Sequence, residues 1–158
     1  MIPRTAAETL KILARGYPVV AVTGPRQSGK TTLVRAVFPQ KPYVSLEDPD
    51  QREFAQDDPR RFLGRFADGA VLDEVQRCPA LFSYLQGRVD EDRRSGLFIL
   101  TGSQQFGLLS GVTQTLAGRV GFVRLLPFSL PELQAAARAP TELDELLYRD
   151  QYPPLYDR

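Results

Sequence analysis

The chain has 158 residues, of which 25% are charged and 42% apolar, and its formal net charge at pH 7 is +1. A chain of this length forms about one domain and buries about 68 to 70% of the surface that its unfolded form exposes. The absence of His and the presence of one Cys exclude an imidazole base, a His-ligated metal, an internal disulfide and a Cys-x-x-Cys redox pair.

The near-neutral net charge neither requires nor excludes a nucleic-acid partner. The first 25 residues lack the apolar core of a signal peptide, and no later window approaches 18 apolar residues. We therefore expect a cytoplasmic protein with no membrane partner.

Short apolar segments alternate with segments of helical spacing along the chain. Thr5 and Glu8 have the spacing of a capping box, which predicts a helix over residues 6–15. Continuous apolar stretches predict strands at 18–24, 43–47, 70–75, 96–103 and 120–128. Helical spacing predicts helices over 30–38, 59–66, 79–92 and 105–118. This alternation predicts an α/β fold with a parallel sheet and right-handed crossovers.

The last part of the chain has a different composition. Pro140, Pro153 and Pro154 interrupt a charged segment there, which is more typical of a linker or a domain edge than of a core. We expect residues 1–139 to form one domain and residues 140–158 to be a linker or the start of a further domain.

Residues 24–31, GPRQSGKT, fit the phosphate-loop pattern G-x-x-x-x-G-K-[ST], directly after a predicted strand and before a predicted helix. In such a loop the backbone amides and the helix N-terminus favour phosphate. Lys30 then reaches the β and γ phosphates, and the Thr31 hydroxyl binds Mg²⁺. A chance Gly-rich turn is the alternative, and the flanking elements argue against it. The predicted nucleotide contacts are Gly24, Pro25, Arg26, Gln27, Ser28, Gly29, Lys30, Thr31 and Thr32.

Two adjacent acids, Asp73 and Glu74, end the predicted strand at 70–75. In phosphate-loop ATPases that use water as the nucleophile, Asp73 would hold the Mg²⁺ shell and Glu74 would orient and deprotonate the water. The alternative is that the two acids begin a surface turn, and Glu47 is the next candidate for the base. A GTPase would need an Asn-Lys-x-Asp segment, which a chain without Asn lacks. The sequence therefore predicts ATP hydrolysis.

Thr101, Ser103 and Gln104 end the fourth predicted strand, at the sheet edge where ligands bind in open α/β folds. Ser103 is the first candidate for sensing the γ-phosphate and Thr101 the second, although a hydroxyl here would equally suit a helix cap.

Arg119 lies between the next helix and the fifth strand, with no acidic neighbour in sequence. It would either complete the site of a neighbouring subunit or serve as a helix-terminal cation.

The motifs together carry a family resemblance over nearly the whole chain. GPRQSGKTTL, YVSLEDPDQREFAQDDPRRFL, AVLDEVQRCPALFSYLQGRVDE, LFILTGSQQFGLLSG, LAGRV and LLPFSLPEL follow one another in order. In this the chain resembles the AAA-type ATPase domain of a group of bacterial and archaeal ATPases within the AAA+ superfamily. Members of that group resemble two-part proteins in which this domain precedes a C-terminal domain. They usually show a Gly-Gly-Tyr-Pro step near residue 150, where this chain has Asp150, Gln151, Tyr152 and Pro153.

The resemblance implies a phosphate-loop fold with a five-stranded parallel sheet flanked by helices, ATP with Mg²⁺ as ligands, and Glu74 as base. It also favours Arg119 as a catalytic residue acting in trans in a homo-oligomer of the longer protein. We expect hydrolysis to drive remodelling of a protein or nucleic-acid partner, with weak activity in the isolated chain. A nucleotide-dependent switch with very slow hydrolysis is the alternative. A nucleic acid would contact an arginine cluster made of Arg60, Arg61, Arg65, Arg93 and Arg94.

Overall fold

The computed structural model describes residues 2–103, 106–140 and 151–156. Its strands are β1 (Val19–Gly24), β2 (Tyr43–Ser45), β3 (Ala70–Asp73), β4 (Phe98–Ser103) and β5 (Val120–Arg124). They form one five-stranded sheet in the order β2-β3-β4-β1-β5, and all four adjacent pairs are parallel. The predicted α/β fold with a five-stranded parallel sheet is confirmed.

Helices connect the strands and cover both faces of the sheet. They are α1 (Ala6–Gly16), α2 (Lys30–Val37), α3 (Pro49–Asp57), α4 (Pro59–Gly64), α5 (Leu81–Glu91), α6 (Phe106–Thr115) and α7 (Leu130–Ala135). Short 3-10 segments occur at Val75–Arg77 and Pro153–Leu155.

Alternate residues of each central strand face opposite layers. On β1, Val19 and Ala21 pack with α3, α4, α5 and α6 in the larger apolar cluster. Val20 and Val22 pack with α1 and α2 in the second cluster. All six β1 residues are buried, which explains why this strand is a continuous apolar run and not an alternating one.

Helix starts are where the sequence-based predictions need correction. Thr5 precedes α1, but its hydroxyl makes no capping bond; it donates to Glu132 instead, so the predicted capping box is wrong. Helices α3 and α7 were not predicted. Helix α3 buries one residue, Ala55, and therefore shows no apolar period, although the Asp48 side chain caps it. Helix α7 carries a complete capping box between Ser129 and Glu132.

Three strands end earlier than predicted. Strand β2, predicted over 43–47, stops at Ser45, where the chain enters a turn. Strand β3 stops at Asp73 because Glu74 takes a left-handed backbone conformation, with φ of 55°. Strand β5 stops at Arg124. Leu125 still donates to the Thr23 carbonyl of β1 at 2.7 Å, but Pro127 has no amide proton with which to extend the strand pairing.

A third apolar cluster lies beside the sheet and joins distant parts of the chain. It contains Ile2, Phe128, Leu133 and Tyr156, and the Phe128 amide donates to the Gln151 carbonyl at 2.8 Å. Residues 151–156 thus contact the segment that follows β5. The predicted boundary at residue 140 stays a prediction.

Candidate phosphate and metal site

The loop at residues 24–29 connects β1 to α2 and turns sharply around its two glycines. Gly24 has φ of 155°, and a Cβ built there would lie 2.0 Å from the Leu125 carbonyl oxygen. Gly29 has φ of 89° and precedes α2 without a side-chain cap. The first turn of α2 carries no acid, so its amide groups and positive dipole end are left for an anion. The Ser28 hydroxyl is buried and has no hydrogen-bond partner among the described residues. These features fit a bound phosphate group.

Lys30, the first residue of α2, points back into the loop. Its Nζ donates to the Gly24 carbonyl at 3.1 Å and to the Pro25 carbonyl at 2.7 Å. Burial lowers the pKa of this ammonium group, while the Glu74 and Asp73 carboxylates oppose that shift. Lys30 is 6% exposed. In this structure its ammonium group is therefore buried and hydrogen-bonded to carbonyls of the loop.

Asp73, at the end of β3, is a buried carboxylate that accepts three hydroxyl hydrogen bonds. The Thr31 hydroxyl donates to Oδ2 at 3.0 Å, and the Tyr43 hydroxyl donates to the same oxygen at 2.5 Å. The Thr101 hydroxyl donates to Oδ1. The structure therefore brings together the two predicted metal ligands, Thr31 and Asp73.

Hydroxyl and carboxylate oxygens are the donors that Mg²⁺ prefers, and Mg²⁺ is usually held by one or two carboxylates together with substrate phosphates. The described residues contain no cluster of three or more acidic, His or Cys side chains suited to a metal. The pair of Thr31 and Asp73 fits a Mg²⁺ ion that is shared with a nucleotide.

Tyr43 was not foreseen as a site residue. Burial raises the pKa of its phenol, and the hydrogen bond to Asp73 adds to that shift. The sequence offers no signal for this contact, because it joins two neighbouring strands through space.

Glu74 follows Asp73 and turns away from it through its left-handed backbone. The Gln76 amide nitrogen donates to the Glu74 carboxylate and, at 3.2 Å, to Ser103 Oγ. Because Ser103 Oγ accepts this bond, its own proton stays free to donate to a ligand. The side-chain amide of Gln76 is thus hydrogen-bonded to both the predicted base and the predicted γ-phosphate sensor. Sequence reasoning did not predict this role for Gln76. Gln104 lies outside the described residues.

A cleft of about 290 Å³ opens beside these groups and is lined by Arg26, Glu74, Gln76, Arg77 and Ser103. Glu47 lies near its rim, with one carboxylate oxygen 3.2 Å from Arg77 and 3.8 Å from Arg26. Glu47 is thus paired with two arginines at the rim, whereas Glu74 lines the cleft itself. The geometry therefore favours Glu74 over Glu47 as the base.

Arg119 lies at the amino ends of the parallel strands, whereas the phosphate loop lies at their carboxyl ends. Its carbonyl accepts from the Val19 amide at the start of β1, whereas the loop follows the end of β1, roughly 17 Å further along at the usual strand rise. The guanidinium donates to Asp90 through Nε at 2.6 Å and Nη2 at 3.0 Å. Arg119 is therefore remote from the phosphate loop of its own chain, and its acidic partner comes from α5.

Part of the predicted arginine cluster is engaged within the chain. The Arg65 guanidinium lies over the Phe54, Phe62 and Phe66 rings at 4.8 to 5.1 Å. Arg94 pairs with Asp92 and Asp68. These two cations already have partners within the chain and are less available to a phosphate backbone.

The parallel sheet, the glycine loop before α2 and the acid at the end of β3 together define a phosphate-loop NTPase fold. The family described as "AAA domain" matches residues 16–134, and the chain belongs to this family, as an ATPase domain of the AAA+ superfamily. The family and the fold support nucleotide binding and hydrolysis in general terms.

Two curated relatives are uncharacterized proteins, Mb2031c of Mycobacterium bovis and Rv2008c of Mycobacterium tuberculosis. Each is 35% identical over 156 residues, which is 97% of this chain and 34% of the relative. The chain thus spans about a third of the length of these relatives.

Solved structures share the fold at low identity. The Walker-type ATPase PABY2304 of Pyrococcus abyssi has a TM-score of 0.62 at 18% identity, covering 97% of this chain and 65% of its own. AMPPCP-bound DnaA from Aquifex aeolicus has a TM-score of 0.60 at 18% identity, covering 95% of this chain and 56% of its own. Over the described residues, no helix is both long and apolar enough to cross a membrane.

Proposed function

We propose that this domain binds ATP with Mg²⁺ in the loop at residues 24–31 and hydrolyses it. The observation that carries the proposal is the contact of 3.0 Å between the Thr31 hydroxyl and the Asp73 carboxylate. The end of β3 therefore lies beside the start of α2, where the loop amides would face the phosphates of a bound nucleotide. The DnaA structure that shares this fold is bound to AMPPCP, an ATP analogue, which agrees with this proposal.

Binding would require Lys30 to leave the loop carbonyls that it now contacts and to pair with the β and γ phosphates. The exchange favours an anionic ligand, because a buried ammonium group bonded only to neutral carbonyls gains a counter-charge. Thr31 and Asp73 would hold Mg²⁺, which when bound neutralises phosphate charge during transfer. The backbone amides and the Ser28 hydroxyl would complete the phosphate contacts.

The chemical step we propose is an in-line attack by water on the γ-phosphorus. The bond from phosphorus to the bridging oxygen breaks, ADP leaves, and Glu74 accepts the proton of the water. Gln76 holds Glu74 and Ser103 on one side of the cleft, so the base and the hydroxyl donor face a common space. The Ser103 hydroxyl would donate a hydrogen bond to an oxygen of the γ-phosphate.

Arg119 is proposed to act on the site of a neighbouring subunit in a homo-oligomer of the longer protein. Arg119 lies at the end of the strands opposite to the phosphate loop, roughly a strand length away from it. This distance supports action on another subunit and not on its own site. The bidentate contact with Asp90 would hold the guanidinium until a neighbour's nucleotide competes for it. Without a neighbour, the domain would be a weak ATPase.

We propose further that hydrolysis drives remodelling of a protein or nucleic-acid partner. A second candidate is a switch that holds ATP and hydrolyses it very slowly. The observation favouring the switch is that Lys30, Glu74 and Arg119 are each bonded within the chain, so three groups must rearrange before the reaction. Since Arg65 and Arg94 are engaged within the chain, a nucleic-acid partner would have fewer basic side chains of the predicted cluster to contact.

Phosphate release measured alongside ATP binding separates the two functions. The chain and its longer parent are assayed over a range of protein concentrations, with and without DNA. The hydrolase predicts turnover by the parent that rises with concentration and fails in Glu74→Gln. Tight ATP binding with equal, negligible phosphate release from the parent and Glu74→Gln would favour the switch.

A further inference from the structure

The hydroxyl contacts of Asp73 suggest a role for a residue that lies outside the phosphate loop and the strand-end acids. We propose that Tyr43 is a positioning residue for the magnesium site, fixing the Asp73 carboxylate so that Thr31 and Asp73 bind Mg²⁺ together. This inference rests on the proposed function, because it concerns the same metal site.

Strand β2 places Tyr43 next to β3 in parallel register, opposite Val71 and two residues before the level of Asp73. From there the phenol reaches along the strand to Asp73 Oδ2, which it contacts at 2.5 Å. The Thr31 hydroxyl donates to the same oxygen. One carboxylate oxygen therefore joins a side chain of β2 to a side chain of α2.

The Tyr43 ring is held in place by the helix that also carries Thr31. The Arg35 guanidinium lies over the ring, 4.9 Å from its centroid, and Arg35 follows Thr31 by one turn of α2. Asp73 is therefore connected to α2 twice. One connection is its direct hydrogen bond with Thr31, and the other runs through Tyr43, whose ring lies under Arg35. Movement of the carboxylate relative to α2 would break these contacts.

The nature of these donors matters for a metal. Asp73 is 5% exposed, and a buried carboxylate is costly unless it is hydrogen-bonded. Among the described residues it accepts from the neutral hydroxyls of Thr31, Tyr43 and Thr101, which satisfy the oxygens without cancelling their negative charge. A cation would not have to displace an Arg or Lys from these three contacts. Because the Thr31 hydroxyl donates a hydrogen bond to Asp73, the lone pairs of its oxygen remain available to the metal.

Tyr43→Phe tests the inference, since it removes the hydroxyl and keeps the ring under Arg35. Mn²⁺ replaces Mg²⁺ as an observable metal, and its affinity for the complex with a non-hydrolysable ATP analogue is measured by electron paramagnetic resonance. Removing such an outer partner typically weakens metal affinity by about 10-fold to 100-fold, and we expect about 10-fold here. Nucleotide affinity without metal should not change. Tyr84→Phe is the matched control: Tyr84 lies on α5 and is 41% exposed, and this variant should bind Mn²⁺ as tightly as wild type.

A double variant shows whether Tyr43 acts through Asp73. In the Asp73→Ala background the phenol has no carboxylate to bond, so adding Tyr43→Phe should leave the residual Mn²⁺ affinity unchanged. A further tenfold loss in that background would overturn the inference. If Tyr43→Phe fails to fold, Arg35→Met removes the cation over the ring and should weaken Mn²⁺ binding in the same direction, by less.

The outcomes separate this inference from the function it depends on. If wild type shows no metal-dependent nucleotide binding, the proposed function fails. If wild type binds Mn²⁺ with the nucleotide and Tyr43→Phe binds it equally well, the function stands and the positioning role is wrong. A lower melting temperature with unchanged Mn²⁺ affinity would likewise show a structural role only.

Discussion

Two acids adjacent in sequence occupy different environments in the structure. Asp73 is the last residue of a buried strand and accepts three hydroxyl bonds. Glu74 takes a left-handed backbone, with φ of 55°, and meets Gln76 at the cleft. The proposed function assigns the first carboxylate to a metal and the second to a water molecule.

Replacing Glu74 by Gln keeps the size of the side chain and removes the proton acceptor. We expect ATP to remain bound while hydrolysis falls by about 10² to 10⁴. Phosphate release and analogue binding are measured on the same preparation, with Glu91→Gln on the exposed side of α5 as control. Hydrolysis at the native rate would transfer the base role to another group.

At this scale the sequence predicted the candidate loop and the two acids, but not the residues that contact them. The loop, Asp73 and Glu74 were found because their spacing is a local pattern. Tyr43 and Gln76 were missed because their roles arise from contacts between strands, or between a 3-10 turn and the end of β4. A residue whose role depends on such neighbours leaves no spacing in one sequence.

At the scale of elements, helix α7 ties the start of the chain to the phosphate loop. Glu132 accepts from the Ser129 amide, the Thr5 amide and the Arg4 guanidinium. Arg4 also donates to the Ser28 carbonyl at 3.0 Å. Both side chains of the Arg4 and Glu132 ion pair are less than 10% exposed, at 8% and 6%. The Glu132 carboxylate of the α7 capping box thus holds Arg4, which in turn holds the backbone of the phosphate loop at Ser28.

Replacing Glu132 by Gln should destabilise the fold by about 3 kcal/mol at neutral pH, because it leaves Arg4 without its counter-charge. Burial opposes ionisation of Glu132, but the hydrogen bonds from Ser129 and Thr5 and the charge of Arg4 hold its pKa below the ordinary value of 4.5. A depressed folded pKa means that the stabilisation is complete above that ordinary value and is lost as pH falls through the folded pKa.

Chemical denaturation of wild type and Glu132→Gln between pH 7 and pH 3 checks this. The difference in free energy of unfolding should be constant near neutral pH and shrink below the ordinary carboxyl range. Glu91→Gln, at an exposed position of α5, is the control substitution. A difference that stays constant down to pH 3 would contradict the proposed ionic role of Glu132.

The sequence predicted the elements that consist of continuous apolar residues. It failed for helices whose first residue is determined by a polar capping side chain. Strand β1 was found because both of its faces are buried. Helix α3 was missed because it buries only Ala55, and the predicted cap at Thr5 was wrong because its hydroxyl bonds to α7, 127 residues away. Tertiary contacts of this kind override a local capping signal.

For the whole molecule, the proposal places part of the site in a neighbouring subunit. Arg119→Ala should lower turnover without weakening ATP binding, since its contact would form mainly in the transition state. Arg15→Ala, which changes an exposed arginine in the last turn of α1, serves as control. Mixing Arg119→Ala subunits with excess Glu74→Gln subunits should restore turnover, because the second variant lacks the base but carries Arg119. No recovery in a mixture shown by sizing to co-assemble would contradict action in trans.

The central claim, that the loop at residues 24–31 binds ATP, is tested most directly by calorimetric titration with ATP and Mg²⁺. Wild type and Lys11→Ala, an exposed lysine on α1, should bind ATP equally well, while Lys30→Ala should show no measurable binding. Because Lys30 also bonds to the loop carbonyls, the fold of Lys30→Ala is verified by its melting curve. Unchanged ATP affinity in a folded Lys30→Ala protein would contradict the assignment of this loop as the nucleotide site.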